Sequence, residues 1–210
     1  MKTKLDASFR KVAEDVFGPI EPASPVAPPA APLAAPVAAP AMDAAPAAQD
    51  GPSPQVKEGL CSMVAEAKFN AHAYRQAASI LKDAGFIECA CHFNKMSKKW
   101  CHAAKKAVSL IECLGETVCF KPVAGVGELP NDPHGLASHF FGIEKGVTSK
   151  VIAFRQATED SDVMVHEFLC ECIGKRMKME AKARDFLRIA TLAGDDHMGL
   201  EHEAKHMLKG

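Results

Sequence analysis

Residues 115–132 read GETVCFKPVAGVGELPND, a run with glycines, prolines and no helical period, set between long helical patterns. Fully extended, such a run reaches about 55–60 Å. The helical pattern before it, residues 86–114, makes a helix about 43 Å long. The connection can therefore travel the whole length of a bundle and restart at its far end. Bundles that run simply up and down use short loops throughout. The stretch thus selects an all-α four-helix bundle with one long crossover, between its second and third helices.

The flanking patterns supply the helices. Ser53–Pro54 offers an N-cap followed by proline at the first helical position. From there Leu60, Val64, Ala67, Ala71, Tyr74, Ala78 and Leu81 form one stripe as far as the turn at residues 83–85. The second helix turns Phe93, Met96, Trp100, Ala107 and Ile111 inward and stops at Gly115. A third begins at Asp132–Pro133, again a cap before a proline, with Leu136, Phe140, Val147, Val151 and Phe154 inward. After a break near residues 159–161 the fourth and longest covers about 162–192 and is closed by Gly194. A short fifth helix is expected over residues 200–208. The bundle domain is thus residues 55–210.

Ahead of it lie two other segments. Leu5, Phe9, Val12 and Val16 stripe an amphipathic helix over residues 1–18, fitted for docking onto a protein assembly. Residues 19–54 are nearly all Ala and Pro, too poor in bulky apolar side chains to fold. They are expected to be disordered and to act as an extended, semi-rigid linker. The alternative is a frayed N-terminus without a partner.

Composition narrows the function. With 25 basic and 26 acidic residues the chain shows no nucleic-acid footprint. No apolar run approaches the ~20 residues of a membrane span. The N-terminus lacks a secretory pattern and carries Asp6, Glu14 and Asp15, which transit peptides avoid. A cytoplasmic location is expected, with an organelle left open. The eight cysteines form no CxxC pair and read as small core residues and free thiols. A redox or copper protein would need them clustered on facing helices.

The fourth helix contains an anomaly. In VHEFLCECIGKRMKMEAKARDFL, residues 165–187, Val165, Leu169, Cys172, Ile173, Ala183 and Leu187 share one face. Arg176 and Glu180 fall within it. A buried charge is rarely left alone, since its desolvation costs several kcal/mol. Glu144 lies near the centre of the third helix's apolar face and is the expected partner of Arg176, with Glu180 a further candidate.

LKDAGF (81–86), KKWCHAAKKAVSLIECLGETV (98–118), FGIEKGV (141–147) and LAGDDHMGLEHEAKHM (192–207) resemble the ferritin and bacterioferritin family over about residues 55–208. The resemblance implies a ferritin-like four-helix bundle, a cage of many subunits and a di-iron site in each bundle. It also implies, for the bacterioferritin branch, a haem on a methionine. The family's iron ligands are a Glu on the first helix, Glu-x-x-His on the second, a Glu on the third and Glu-x-x-His on the fourth. Three-residue spacing sets Glu and His side by side on one helix face.

Carried onto this chain, the first Glu falls on Glu66 and the third-helix Glu on Glu144. The second-helix motif reads Lys99-Trp100-Cys101-His102, and the fourth reads Arg176-Met177-Lys178-Met179. Fixed positive charge thus stands at two ligand positions. Glu66, His102 and Glu144 remain as vestigial metal candidates, with His102 tilted toward solvent. Arg176, Glu144, Glu180 and Lys99 form the expected buried charge network, Lys99 lying near Glu66. Near the haem position stands Trp100, with Met96 a turn away, so no haem is expected.

Two readings follow. One is a divergent ferritin-like subunit without a bound cofactor, acting as a structural, cargo or accessory part of a homo-oligomer or larger complex. The other is an iron-storage protein with ferroxidase activity, in which Glu66, Glu144 and one of Glu180, Glu171 or Cys101 hold iron. Metal candidates outside the bundle centre are His166, Glu167 and Glu171, and in the tail His197, His202, Glu203 and His206. Among the last group, His202 and His206 share a helix face. No catalytic triad or phosphate loop emerges.

Overall fold

The computed structural model describes residues 52–158 and 163–209. The expected docking helix and the linker up to residue 51 lie outside the described residues. Five helices follow in order: α1 Pro54–Asp83, α2 Ile87–Cys113, α3 Pro133–Ala157, α4 Val163–Ala193 and α5 His197–Lys209. There is no strand among the described residues.

Local chemistry sets the boundaries. Ser53 accepts from the Val56 N–H at 3.4 Å, and Asp132 accepts from the Gly135 N–H at 2.7 Å, each just ahead of a proline. At the C-terminal ends, Gly85 (φ 89°) and Gly115 (φ 74°) take the left-handed conformation that closes α1 and α2. Helix α5 starts at His197 rather than at Leu200, because Asp196 caps it through the Gly199 N–H at 3.0 Å.

The start of α2 has no local cap. Phe86 supplies no side-chain hydrogen bond there. Instead Glu201 of α5 accepts from the Glu88 and Cys89 N–H groups at 2.8 and 3.0 Å. A carboxylate suits the positive end of a helix dipole. Near the other end of α5, Lys95 donates to the Leu208 carbonyl at 2.7 Å. The short helix is thereby fastened to α2 at both ends.

Helices α1 and α2 form one antiparallel hairpin, and α3 and α4 the other. Their shared core centres on an aromatic cluster with one ring from each helix. Phe140 of α3 lies 4.1 Å from Tyr74 of α1 and 5.2 Å from Phe93 of α2, and Phe93 lies 5.4 Å from Phe186 of α4. Helices α1 and α3 come close at Gly59, where an added Cβ would stand 2.4 Å from Phe154 Cζ.

The crossover runs along α1. Lys57 pairs with Glu116, and Lys121 reaches Glu58 and Ser62 at 3.2 and 2.8 Å. Lys68 sits 4.0 Å above the Phe120 ring. Val118, Val126 and Leu129 tuck against the core. The connection ends with Asp132 and Pro133 beside Phe86, Ala190 and His197, at the opposite end of the bundle from Gly115. This is an all-α, ferritin-like four-helix bundle with a bundle-length crossover and a short C-terminal helix.

Candidate functional site

Glu144 is fully buried at the centre of the bundle. Its Oε1 accepts two hydrogen bonds, from Tyr74 Oη at 2.8 Å and from Trp100 Nε1 at 2.9 Å. Its Oε2 faces Arg176, whose Nη1 stands 3.9 Å away, close enough for charge attraction but too far for a hydrogen bond. Neither Oε2 nor Nη1 has a hydrogen-bond partner among the described residues. The guanidinium carbon stands over the Trp100 indole, 3.8 Å from the ring centre. Thus α1, α2, α3 and α4 contribute Tyr74, Trp100, Glu144 and Arg176 respectively.

Burial raises the Glu144 carboxyl above its ordinary pKa, and the Tyr74 hydrogen bond, Arg176 and the Trp100 hydrogen bond hold that rise back. Burial lowers the Arg176 guanidinium, with Glu144 opposing the fall. Tyr74 is pushed well up, first by desolvation and then by the charge of Glu144. Its hydroxyl therefore stays a donor at neutral pH.

The other expected members are elsewhere. Glu66 is half-buried and pairs with Lys150 of α3 at 2.7 Å, in place of the expected Lys99. Lys99 is half-buried without an ion pair among the described residues, its pKa lowered by desolvation and by Lys182 and Lys95. Glu180 is half-buried and makes no ion pair among the described residues, since the buried stripe of α4 passes through Arg176, Met179 and Ala183. His102 is exposed, as its angle on the helix implied.

The secondary metal candidates are dispersed. His166 contacts Arg155 at 3.3 Å, and Glu171 pairs with Lys106 and Lys175. His197 packs against the Phe86 ring. His202 and His206 do come together, with Nε2 atoms 3.2 Å apart on an exposed face. Of the cysteines only Cys61 and Cys89 are buried, and all eight are free thiols. Among the described residues no group of three His, Cys, Asp or Glu side chains is placed to hold a metal.

Two donors escaped sequence reasoning. Tyr74 and Trp100 are the only tyrosine and tryptophan in the chain, and both fall on core stripes. A buried Tyr or Trp needs a partner for its polar atom. That rule, with Glu144 on the facing helix, was the available signal.

The residues do not fit a pair of iron ions. Glu144 Oε1 carries two neutral donors, and its Oε2 faces a guanidinium that cannot give up its proton. Lys99, which the resemblance aligns with a ligand, adds a second cation within electrostatic reach of Glu144.

No protein-family model matches the chain, and no curated protein matches it in sequence. Solved structures do. An open-pore ferritin from the hyperthermophilic archaeon Archaeoglobus fulgidus superposes with a TM-score of 0.69 at 20% identity, covering 74% of this chain and 96% of that one. A humanized archaeal ferritin gives 0.69 at 18%, covering 74% and 96%. A closed form of the Archaeoglobus fulgidus ferritin, made by site-directed mutagenesis, gives 0.65 at 21%, covering 74% and 95%. At such identities the likeness establishes the fold alone, and the fold is that of a ferritin.

Proposed function

We propose that this chain is a ferritin-like subunit whose bundle centre is held by a charge pair instead of a metal. Its role is then structural or accessory within a larger assembly. The observation that carries the reading is that Glu144 Oε1 takes hydrogen bonds from Tyr74 and Trp100 while its Oε2 faces the Arg176 guanidinium. A carboxylate bridging two iron ions needs its oxygens free and imidazoles beside it. Here a fixed cation supplies the neutralising charge and would repel an incoming ferrous ion. The ferritin-like fold supports membership of an oligomer, and residues 1–18 would provide a docking helix on the tether formed by residues 19–54.

Ferrous iron added under air tests the reading, with the ferric absorbance and the metal content per subunit followed together. The expected outcome is oxidation no faster than in buffer and metal well below one ion per subunit. Stoichiometric oxidation would overturn it and favour iron storage. For the docking segment, native mass spectrometry with and without residues 1–54 is the check. Loss of a co-purifying partner on truncation is expected.

A further inference from the structure

A half-open cavity of ≈ 610 Å³ is lined along one side by α2 and along the other by α4. Its floor is apolar, formed by Met63, Ala67, Val147, Val151, Phe168 and Met179. From Lys95 to Ala107 it follows α2 for about 18 Å, so it is a slot rather than a round pocket. The size lies within the ~300–1,000 Å³ of small-molecule sites.

The mouth has the opposite character. Lys98, Lys99 and Lys106 stand on the α2 side and Lys175 and Lys178 on the α4 side, with Arg176 at the base. Two acids also line the slot, Glu66 and Glu171, and both are already paired with lysines. Lys98, Lys99 and Lys178 make no ion pair among the described residues. At the base, Arg176 is 6% exposed and its Nη1 has no hydrogen-bond acceptor among the described residues. Like charges facing each other across an apolar slot lack the anion that would complete them.

We propose that the α2/α4 slot binds an amphipathic anion, a long aliphatic chain ending in a carboxylate. The chain lies on the apolar floor, and the carboxylate is held by the mouth lysines Lys98, Lys99 and Lys178. Desolvating the slot with a hydrocarbon chain is favourable at about 25 cal/mol per Å² of apolar area removed from water. Charge complementarity selects the head group and rejects a cationic amphiphile. A peptide helix is the less apt occupant. The chain's own residues 1–18 carry Lys2, Lys4, Arg10 and Lys11 against Asp6, Glu14 and Asp15, so they bring no acidic face.

Palmitate titrated into the full-length protein by calorimetry, below its micellar concentration, tests the proposal. Hexadecyltrimethylammonium and inorganic phosphate serve as comparison ligands, and an acidic amphipathic peptide as a third. Saturable binding of palmitate at one per chain is expected, with neither the cationic amphiphile nor phosphate matching it. The double variant Lys98→Glu/Lys178→Glu should weaken palmitate about tenfold or more, equal to about 1.4 kcal/mol. Ala103→Trp, which fills the slot from α2, should abolish binding while circular dichroism shows the helices intact. Absence of binding, or binding that neither variant changes, overturns the proposal, as does tighter binding of the peptide or of phosphate. The outcome is separable from that of the iron experiment, because a chain that oxidises iron could still bind palmitate and the reverse.

Discussion

Glu144 and Arg176 are matched in charge but imperfectly in geometry. At 3.9 Å the pair attracts without a hydrogen bond, so Glu144 owes its place chiefly to Tyr74 and Trp100. Arg176→Met should therefore lower stability by about 3 kcal/mol at neutral pH, the usual penalty for stranding one partner of a buried pair. The penalty should shrink in acid, where Glu144 is protonated folded and unfolded alike. Urea melts at pH 7 and pH 4 measure both effects, and a penalty that does not change between them would show that Arg176 acts through packing alone. His92 gives a second pH signal. It is 5% exposed, stacked on Phe186 at 5.0 Å, and its pKa falls from 6.5 to about 4, through burial first and then Lys99, Lys182 and Lys95. The unfolded chain takes up the proton near 6.5, the folded one only near 4. Stability is thus full above 6.5 and is lost as the pH falls toward 4, by about 3 kcal/mol in all. Glu144 slopes the opposite way above 4.5, its folded pKa being raised, so the comparison that isolates His92 is His92→Leu against the parent across pH 4–7. The charges on α3 and α4 were legible because they interrupted apolar stripes. Their distances and the two neutral donors were not, since a stripe fixes direction around one helix and says nothing about the neighbour's register.

The helices were legible at the scale of elements wherever a cap or breaker lay within a few residues. Ser53–Pro54, Asp132–Pro133, Gly85 and Gly115 mark boundaries that the structure shares. The start of α2 was not readable in this way, since its cap is Glu201, more than a hundred residues downstream. The start of α5 was misplaced for a different reason. The tandem Asp195–Asp196 is a cap signal that the apolar pattern beginning at Leu200 concealed. Gly59 was also silent. In a helix interior it costs about 1 kcal/mol relative to alanine, so an isolated reading favours replacing it. The structure reverses that preference, because the Phe154 ring occupies the space of the missing Cβ and is itself buried. Gly59→Ala should destabilise the protein by about 1–2 kcal/mol, the overpacking cost exceeding the gain in propensity. Chemical denaturation reads the sign directly. The double variant Gly59→Ala/Phe154→Leu should recover part of the loss by giving the methyl room.

The whole bundle is fastened unevenly. Each hairpin packs tightly within itself, the aromatic cluster ties the four helices together, and α5 bridges the end where α2 begins. Along the α2/α4 seam, by contrast, lysines confront one another. The affinity of Lys99 for a proton is depressed by burial first and then by Lys182 of α4 and by Lys95, and Lys98 and Lys178 line the same slot. Such repulsion between charges at the surface is screened when the Debye length falls from about 20–30 Å at low salt to a few Å at high salt. The surface pairs Lys57–Glu116, Lys121–Glu58 and Lys106–Glu171 are screened as well, but exposed pairs of that kind contribute little to stability. The seam places several like charges beside an apolar slot, where fields are stronger, so its relief should dominate. Unfolding by urea, which leaves ionic strength unchanged, should give a stability higher by about 1 kcal/mol in 500 mM than in 20 mM sodium chloride. Lys99→Gln/Lys182→Gln should be more stable than the parent at low salt and should lose most of the salt dependence. If the double variant keeps the parent's full salt response, the seam is not the source of the strain and the α2/α4 slot must be kept open by packing.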